Sequence, residues 1–89
     1  MQKVQLEGGI HVPECYVTFD TIDDVRDFVS IATRYRYRIQ VSRENHFASA
    51  TSIMGLFCMG LHTTLRVTVL DQSADPTSFF NELRPYAVA

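Results

Sequence analysis

Residues 51–61 read TSIMGLFCMGL, and the reading of this run decides the fold. Its spacing predicts a short helix. Thr51 or Ser52 supplies the side-chain oxygen that caps a first turn, and Gly60 supplies the stop. Gly55 falls inside, where glycine costs roughly 1 kcal/mol relative to alanine, so a packing or docking reason for it is expected. A helix this short cannot bury all of its apolar side chains. Leu56 and Met59 are expected inward. Ile53, Met54 and Phe57 are left as candidate contact residues, methionine being adaptable to several partners.

Upstream of this helix, the pattern switches twice. HFA, residues 46–48, is a short return strand after the turn Arg43-Glu44-Asn45. YRYRIQVS, residues 35–42, has period two: Tyr35, Tyr37, Ile39 and Val41 share one face, and Arg36, Arg38, Gln40 and Ser42 the other. DTIDDVRDFVSIATRY, residues 20–35, changes to helical spacing, with Ile22, Val25, Phe28, Val29 and Ala32 on one side. Asp20 or Thr21 caps this helix, and Asp23 and Asp24 sit in its first turn, where the dipole favours negative charge. It is expected from about Thr21 to Arg34. CYVTF, residues 15–19, is a strand. Residues 1–14 read as an N-terminal arm or an extra edge strand, broken by Gly8-Gly9 and limited by Pro13.

Downstream, TTLRVTVL (63–70) is a strand and SADPTSFFNELRPY (73–86) a helix. Asp75 is the expected N-cap and Pro76 the first helical residue. Phe79, Phe80 and Leu83 are expected to face the core, and Pro85 to stop the helix. The order strand, helix, strand, strand, short helix, strand, helix is an α+β arrangement. Helices covering one face of a mainly antiparallel sheet satisfy it most simply.

This order, with ATSIMGLFCMGL (50–61) at its centre, resembles HPr, the histidine-containing phosphocarrier protein of the phosphotransferase system. The resemblance runs from about Cys15 to Tyr86, so residues 15–89 are expected to form one HPr-like domain. It implies an open-faced β-sandwich: a four-stranded antiparallel sheet with three helices on one face. The family's chemistry places a histidine at the start of the first helix, in a Gly-Leu-His-Ala-Arg-Pro loop. Counting back from Ser52 without gaps, that histidine position falls on Thr21 and the arginine position on Asp23. Thr21 cannot become a phosphohistidine, and Asp23 and Asp24 would repel a phosphoryl group. The chain is therefore similar to catabolite-repression paralogues of HPr, which lack the histidine and keep the serine.

GGIHVPEC, residues 8–15, contains the other histidine to weigh. His11 lies too far upstream of Ser52 for the family's spacing, and Val12 leads straight to Pro13 with no arginine between. Making His11 the phosphate carrier would also force ECYVTF to be a helix, against its β-forming composition. Ser52 has two readings that stay open. It is a helix cap, or it is a regulatory phosphosite at a helix N-terminus, where a dianion meets free N–H groups.

Composition bounds the rest. The chain has 89 residues, 46% hydrophobic and 20% charged, with net charge −2. That is one folded domain able to bury a core without metal or disulfide help. It gives no bulk electrostatic reason to bind nucleic acid. RYRYR, residues 34–38, does not reverse this, because strand alternation would split its arginines from its tyrosines. No apolar run reaches the length of a membrane span, and no signal peptide is read at the N-terminus. Cys15 and Cys58 are expected as reduced core thiols of a cytoplasmic protein. His11, Cys15, His46, Cys58 and His62 have no metal-ligand spacing, and neither metal nor cofactor is expected. No catalytic constellation is legible, so the chain is not expected to be an enzyme. The expected function is that of an HPr-like regulatory or adaptor protein without histidine phosphoryl transfer. It would dock protein partners, such as an HPr kinase or a transcription regulator, through the face around Ser52. The alternative is an active phosphocarrier using His11 or an unrecognised histidine.

Overall fold

The computed structural model describes residues 13–71 and 75–88. Its elements in chain order are β1 (Glu14–Thr18), α1 (Ile22–Thr33), β2 (Ile39–Arg43), β3 (His46–Ser49), α2 (Ile53–Cys58), β4 (Thr64–Val69) and α3 (Thr77–Glu82), followed by a 3-10 turn over Arg84–Tyr86. The four strands form one antiparallel sheet in the order β1-β4-β2-β3. This is the expected open-faced sandwich.

The core follows from the alternation of the strands. Leu65, Val67 and Val69 of β4, Val41 of β2 and Val17 of β1 are buried on the helix-bearing side. They meet Val25, Phe28 and Ala32 of α1, Leu56 of α2, and Phe79 of α3 with Leu83 just beyond it. Phe28 packs on Phe19 and Phe79, with ring centroids 5.2 and 6.3 Å apart. The opposite face carries Tyr16, Arg66 and Ser42 in one row across β1, β4 and β2. Arg66 Nε donates to Ser42 Oγ at 3.3 Å, which partners the one buried polar side chain among the described residues.

Helix α1 starts where its caps place it. Thr21 Oγ1 accepts the Asp24 N–H at 3.1 Å, and the Asp24 carboxylate accepts the Asp20 N–H at 2.9 Å. Ile22, expected on the apolar face, is exposed instead; as the first residue of the helix it projects beyond the packed turns.

Three further expectations are corrected. Residues 35–38 are not strand, because β4 ends at Val69 opposite Ile39 and offers no further partner. Only Leu70 N–H to the Arg38 carbonyl extends that contact. Tyr35 and Tyr37 do share a side, half-buried beneath α3. Tyr35 donates to Glu82, which also pairs with Arg34, and Tyr37 donates to the Asp75 carbonyl. Second, Asp75 is not the N-cap of α3. Its carboxylate accepts both the N–H and the hydroxyl of Thr77, while Pro76 takes the cap position. Third, Cys58 is exposed and Cys15 only half-buried, because Cys58 lies on the far side of α2 from Leu56. Cys15 packs against the core, and burial with the neighbouring Glu14 charge pushes its thiol up to about 11.

The chain end completes one sheet edge. Val17 bridges Ala87, and Val88 N–H donates to the Tyr16 carbonyl. The expected arm or edge strand over residues 1–14 falls largely outside the described residues. Of it, Pro13 accepts a hydrogen bond from Val69, and Glu14 opens β1.

Candidate functional site

The surface of α2 is set by its cap and by its glycine. Ser52 is the N-cap, and its Oγ accepts the Gly55 N–H at 3.2 Å. Gly55 faces β3. A Cβ built there would lie 3.0 Å from Ser52 Oγ and 3.2 Å from the Ala48 Cβ. The glycine therefore lets the helix rest on the strand. With that side and the Leu56–Met59 side fixed inward, the remaining side chains turn outward. Met54 is 71% exposed, Phe57 45% and Ile53 40%. Phe57 follows Ile53 by four residues and Met54 by three, so the three adjoin on one helical surface. Gly60, at φ +102°, ends the helix in a conformation that suits glycine.

Thr21, which the resemblance led one to expect at the family's phosphohistidine position, lies at the start of α1 with its hydroxyl engaged in the cap. The acids expected in this turn, Asp23 and Asp24, are both in the first helical turn. Beside Asp20, just before this turn, the structure brings a histidine that the sequence offered only as a metal-ligand candidate without the spacing. His62, in the connection between α2 and β4, donates its backbone N–H to the Phe19 carbonyl at 2.7 Å. Its Nδ1 lies 3.2 Å from the Asp20 carboxylate. His62 holds a φ of +60°, a conformation uncommon for non-glycine residues. No local motif marks this pairing, since its partners are far apart in the chain. His11 lies outside the described residues.

The described residues contain no group of three or more His, Cys, Asp or Glu that could hold a metal ion. None of their helices is long and apolar enough to cross a membrane. Arg34, Arg36 and Arg38 are exposed, whereas Tyr35 and Tyr37 are turned in and stack on each other at 5.5 Å.

No known protein-family model matches the chain, and no curated protein matches its sequence. Among solved structures, the chain is similar to the crystal structure of HPr-C-His from Thermoanaerobacter tengcongensis. The TM-score is 0.64 and the identity 19%, over 83% of this chain and 86% of that one. This likeness is one of fold: the domain is HPr-like in architecture.

Proposed function

We propose that this chain is an HPr-like regulatory or adaptor protein, related to the sugar phosphotransferase system, that docks protein partners through the face around Ser52. The observation that carries the reading is the contrast between two helix starts. At α1, Thr21, the position that the resemblance assigns to a phosphohistidine, has its hydroxyl used as a cap and is flanked by Asp20, Asp23 and Asp24. At α2, Ser52 borders the exposed Ile53, Met54 and Phe57. The proposed partners are an HPr kinase that modifies Ser52 and a transcription regulator that reads the result, both in the cytoplasm. The chain itself catalyses nothing in this reading.

A second reading is group transfer through a histidine, and one observation favours it. His62 sits beside Asp20 at the start of α1 with an exposed ring. His11 remains the carrier that the sequence alone offers for this reading.

Intact mass after incubation with phosphoenolpyruvate and Enzyme I separates the two. No added phosphate, with an ordinary HPr phosphorylated in parallel, is the expected result. One added phosphate, abolished by His11→Ala or His62→Ala, would overturn the regulatory reading. Treatment with an HPr kinase and ATP then asks whether Ser52 is modified, with Ser52→Ala as the control.

A further inference from the structure

We propose that the free edge of β3 pairs with the same edge of a second copy of this chain, joining two sheets into one across a twofold axis at Ala48. The ladder fixes which main-chain groups face that edge. β3 is last in the strand order, with β2 on its inner side. The Ala50 N–H donates to the Ile39 carbonyl. Antiparallel neighbours bond in alternate pairs, so Val41–Ala48 and Arg43–His46 are bonded pairs, whereas Gln40–Ser49 and Ser42–Phe47 are not. The other side of β2 agrees. There the Leu70 N–H donates to the Arg38 carbonyl, so Gln40 and Ser42 bond to β4. The main chain of Phe47 and Ser49 therefore points away from the sheet.

These outward groups are unpaired. The Phe47 N–H and C=O and the Ser49 N–H have no hydrogen-bond partner among the described residues. The Ser49 C=O accepts the Ser52 N–H at 3.1 Å and retains a second lone pair. A groove of about 480 Å³ borders Phe47, Ala48, Ser49, Ala50 and Thr51. Consecutive strand side chains alternate between faces, so a groove that meets this whole run passes along its backbone edge. Nothing among the described residues covers it.

Donors and acceptors at two-residue spacing are matched by another extended backbone. The composition of β3 selects its own copy. A twofold axis at Ala48 sets Phe47 opposite the partner's Ser49, and His46 opposite the partner's Ala50. Every outward N–H then meets an outward C=O, in two bonded pairs with two N–H···O bonds each. The side chains permit this approach. Alanine meets alanine at the axis, and Phe47, 59% exposed, lies beside a serine. Phe47 and the partner's Phe47 share one face as diagonal neighbours, within reach of aromatic rings. Residues 46–50 include no Lys, Arg, Asp, Glu or Pro, the residues that ordinarily guard an edge strand against pairing. No like charges are brought together.

Sedimentation velocity of the full chain, from about 20 µM to about 1 mM, tests the association. The contact is small, so a reversible dimer half-formed on the order of 0.1 mM is expected. Amide hydrogen exchange should show the alternation. Phe47 and Ser49 should slow several-fold at the higher concentration, while Ala48 and Ala50, already bonded to β2, should not change. An isotope-filtered Overhauser contact between the Ala48 Hα atoms of differently labelled copies is expected, because the axis falls on a close, non-bonded pair. Ser49→Pro removes an outward N–H and no bond to β2, a position where an edge strand tolerates proline. It also removes the Ser49 Oγ contacts with Thr51, so Phe47→Lys, which puts a charge on the edge, is the second variant should the first not fold. Each should remain monomeric through the same range with the Ala48 amide still protected. A wild-type chain monomeric throughout would overturn the proposal and leave the edge to a foreign strand. So would a dimer that forms equally in both variants, or one in which the Phe47 and Ser49 amides stay unprotected.

Discussion

Gly55→Ala sets two effects of known sign against each other. Alanine is the better helix former, by at most about 1 kcal/mol at this position. Against that, the new Cβ would stand 3.0 Å from Ser52 Oγ and 3.2 Å from Ala48 Cβ. The serine can rotate away, but then the bond to the Gly55 N–H is lost, and an N-cap is worth about 1 kcal/mol. Ala48 has less freedom, since its Cβ is fixed to a strand paired with Val41. Overpacking of this kind costs typically about 1–3 kcal/mol. The net expectation is destabilisation by about 1–2 kcal/mol, a fall in Tm of roughly 5–15 °C for a domain of this size. Thermal and urea unfolding of four proteins tests it: wild type, Gly55→Ala, Ser52→Ala and the double variant. With Ser52 already removed, Gly55→Ala should cost about 1 kcal/mol less, because one of the two clashes and the cap are gone. A higher Tm for Gly55→Ala, or the same cost in both backgrounds, would refute the argument.

Other consequences are simpler. Ser52→Ala alone should lower stability by about 1 kcal/mol, and Ser52→Asp, which retains a capping oxygen, should retain most of it; chemical denaturation reads both. Cys58, exposed, should be alkylated by iodoacetamide at pH 8 well before Cys15, whose thiol is pushed up to about 11; peptide mass mapping of a time course would show the order. Because the Cys15 pKa is raised on folding, its contribution to stability is complete below the unfolded value near 9.0 and is lost as pH rises through about 11. Cys15→Ala should flatten that part of the pH–stability profile. Glu82→Gln should change the unfolding midpoint only slightly, since its pair with Arg34 is solvent-exposed.

The sequence made the sheet and the start of each of the first two helices legible because the signals there are local. Ser52 before an apolar run, Gly60 after it, and Thr21 before Asp23-Asp24 each satisfy backbone groups within a few residues. The misreadings arose where a local signal met a nonlocal condition. The alternation of Tyr35 to Arg38 correctly reports which side chains turn inward, but a strand also needs a partner, and β4 has ended by then. Asp75 does hold the N–H of Thr77, yet Pro76 between them takes the cap position. Cys58 is apolar and so read as core. It lies about 200° around the helix from Leu56, which puts it on the opposite surface. His62 against Asp20 is a product of the tertiary fold.

The two helix starts also differ in what an added phosphate would meet. Around α1, Thr21 and Asp24 already occupy the N–H groups of Asp24 and Asp20, so the chain serves as its own anion. A dianion placed there would feel each exposed carboxylate at about 5 Å as roughly 1–2 kcal/mol of repulsion, even with water-like screening. The first turn of α2 holds no acidic residue. A phosphate on Ser52 would meet no such opposition within its own helix, and its charge would fall beside Ile53 and Met54 rather than in the core. An apolar docking surface bordered by a dianion favours a different partner from the same surface uncharged. The proposed switch therefore acts on the choice of partner, and the fold that carries it keeps its core unchanged.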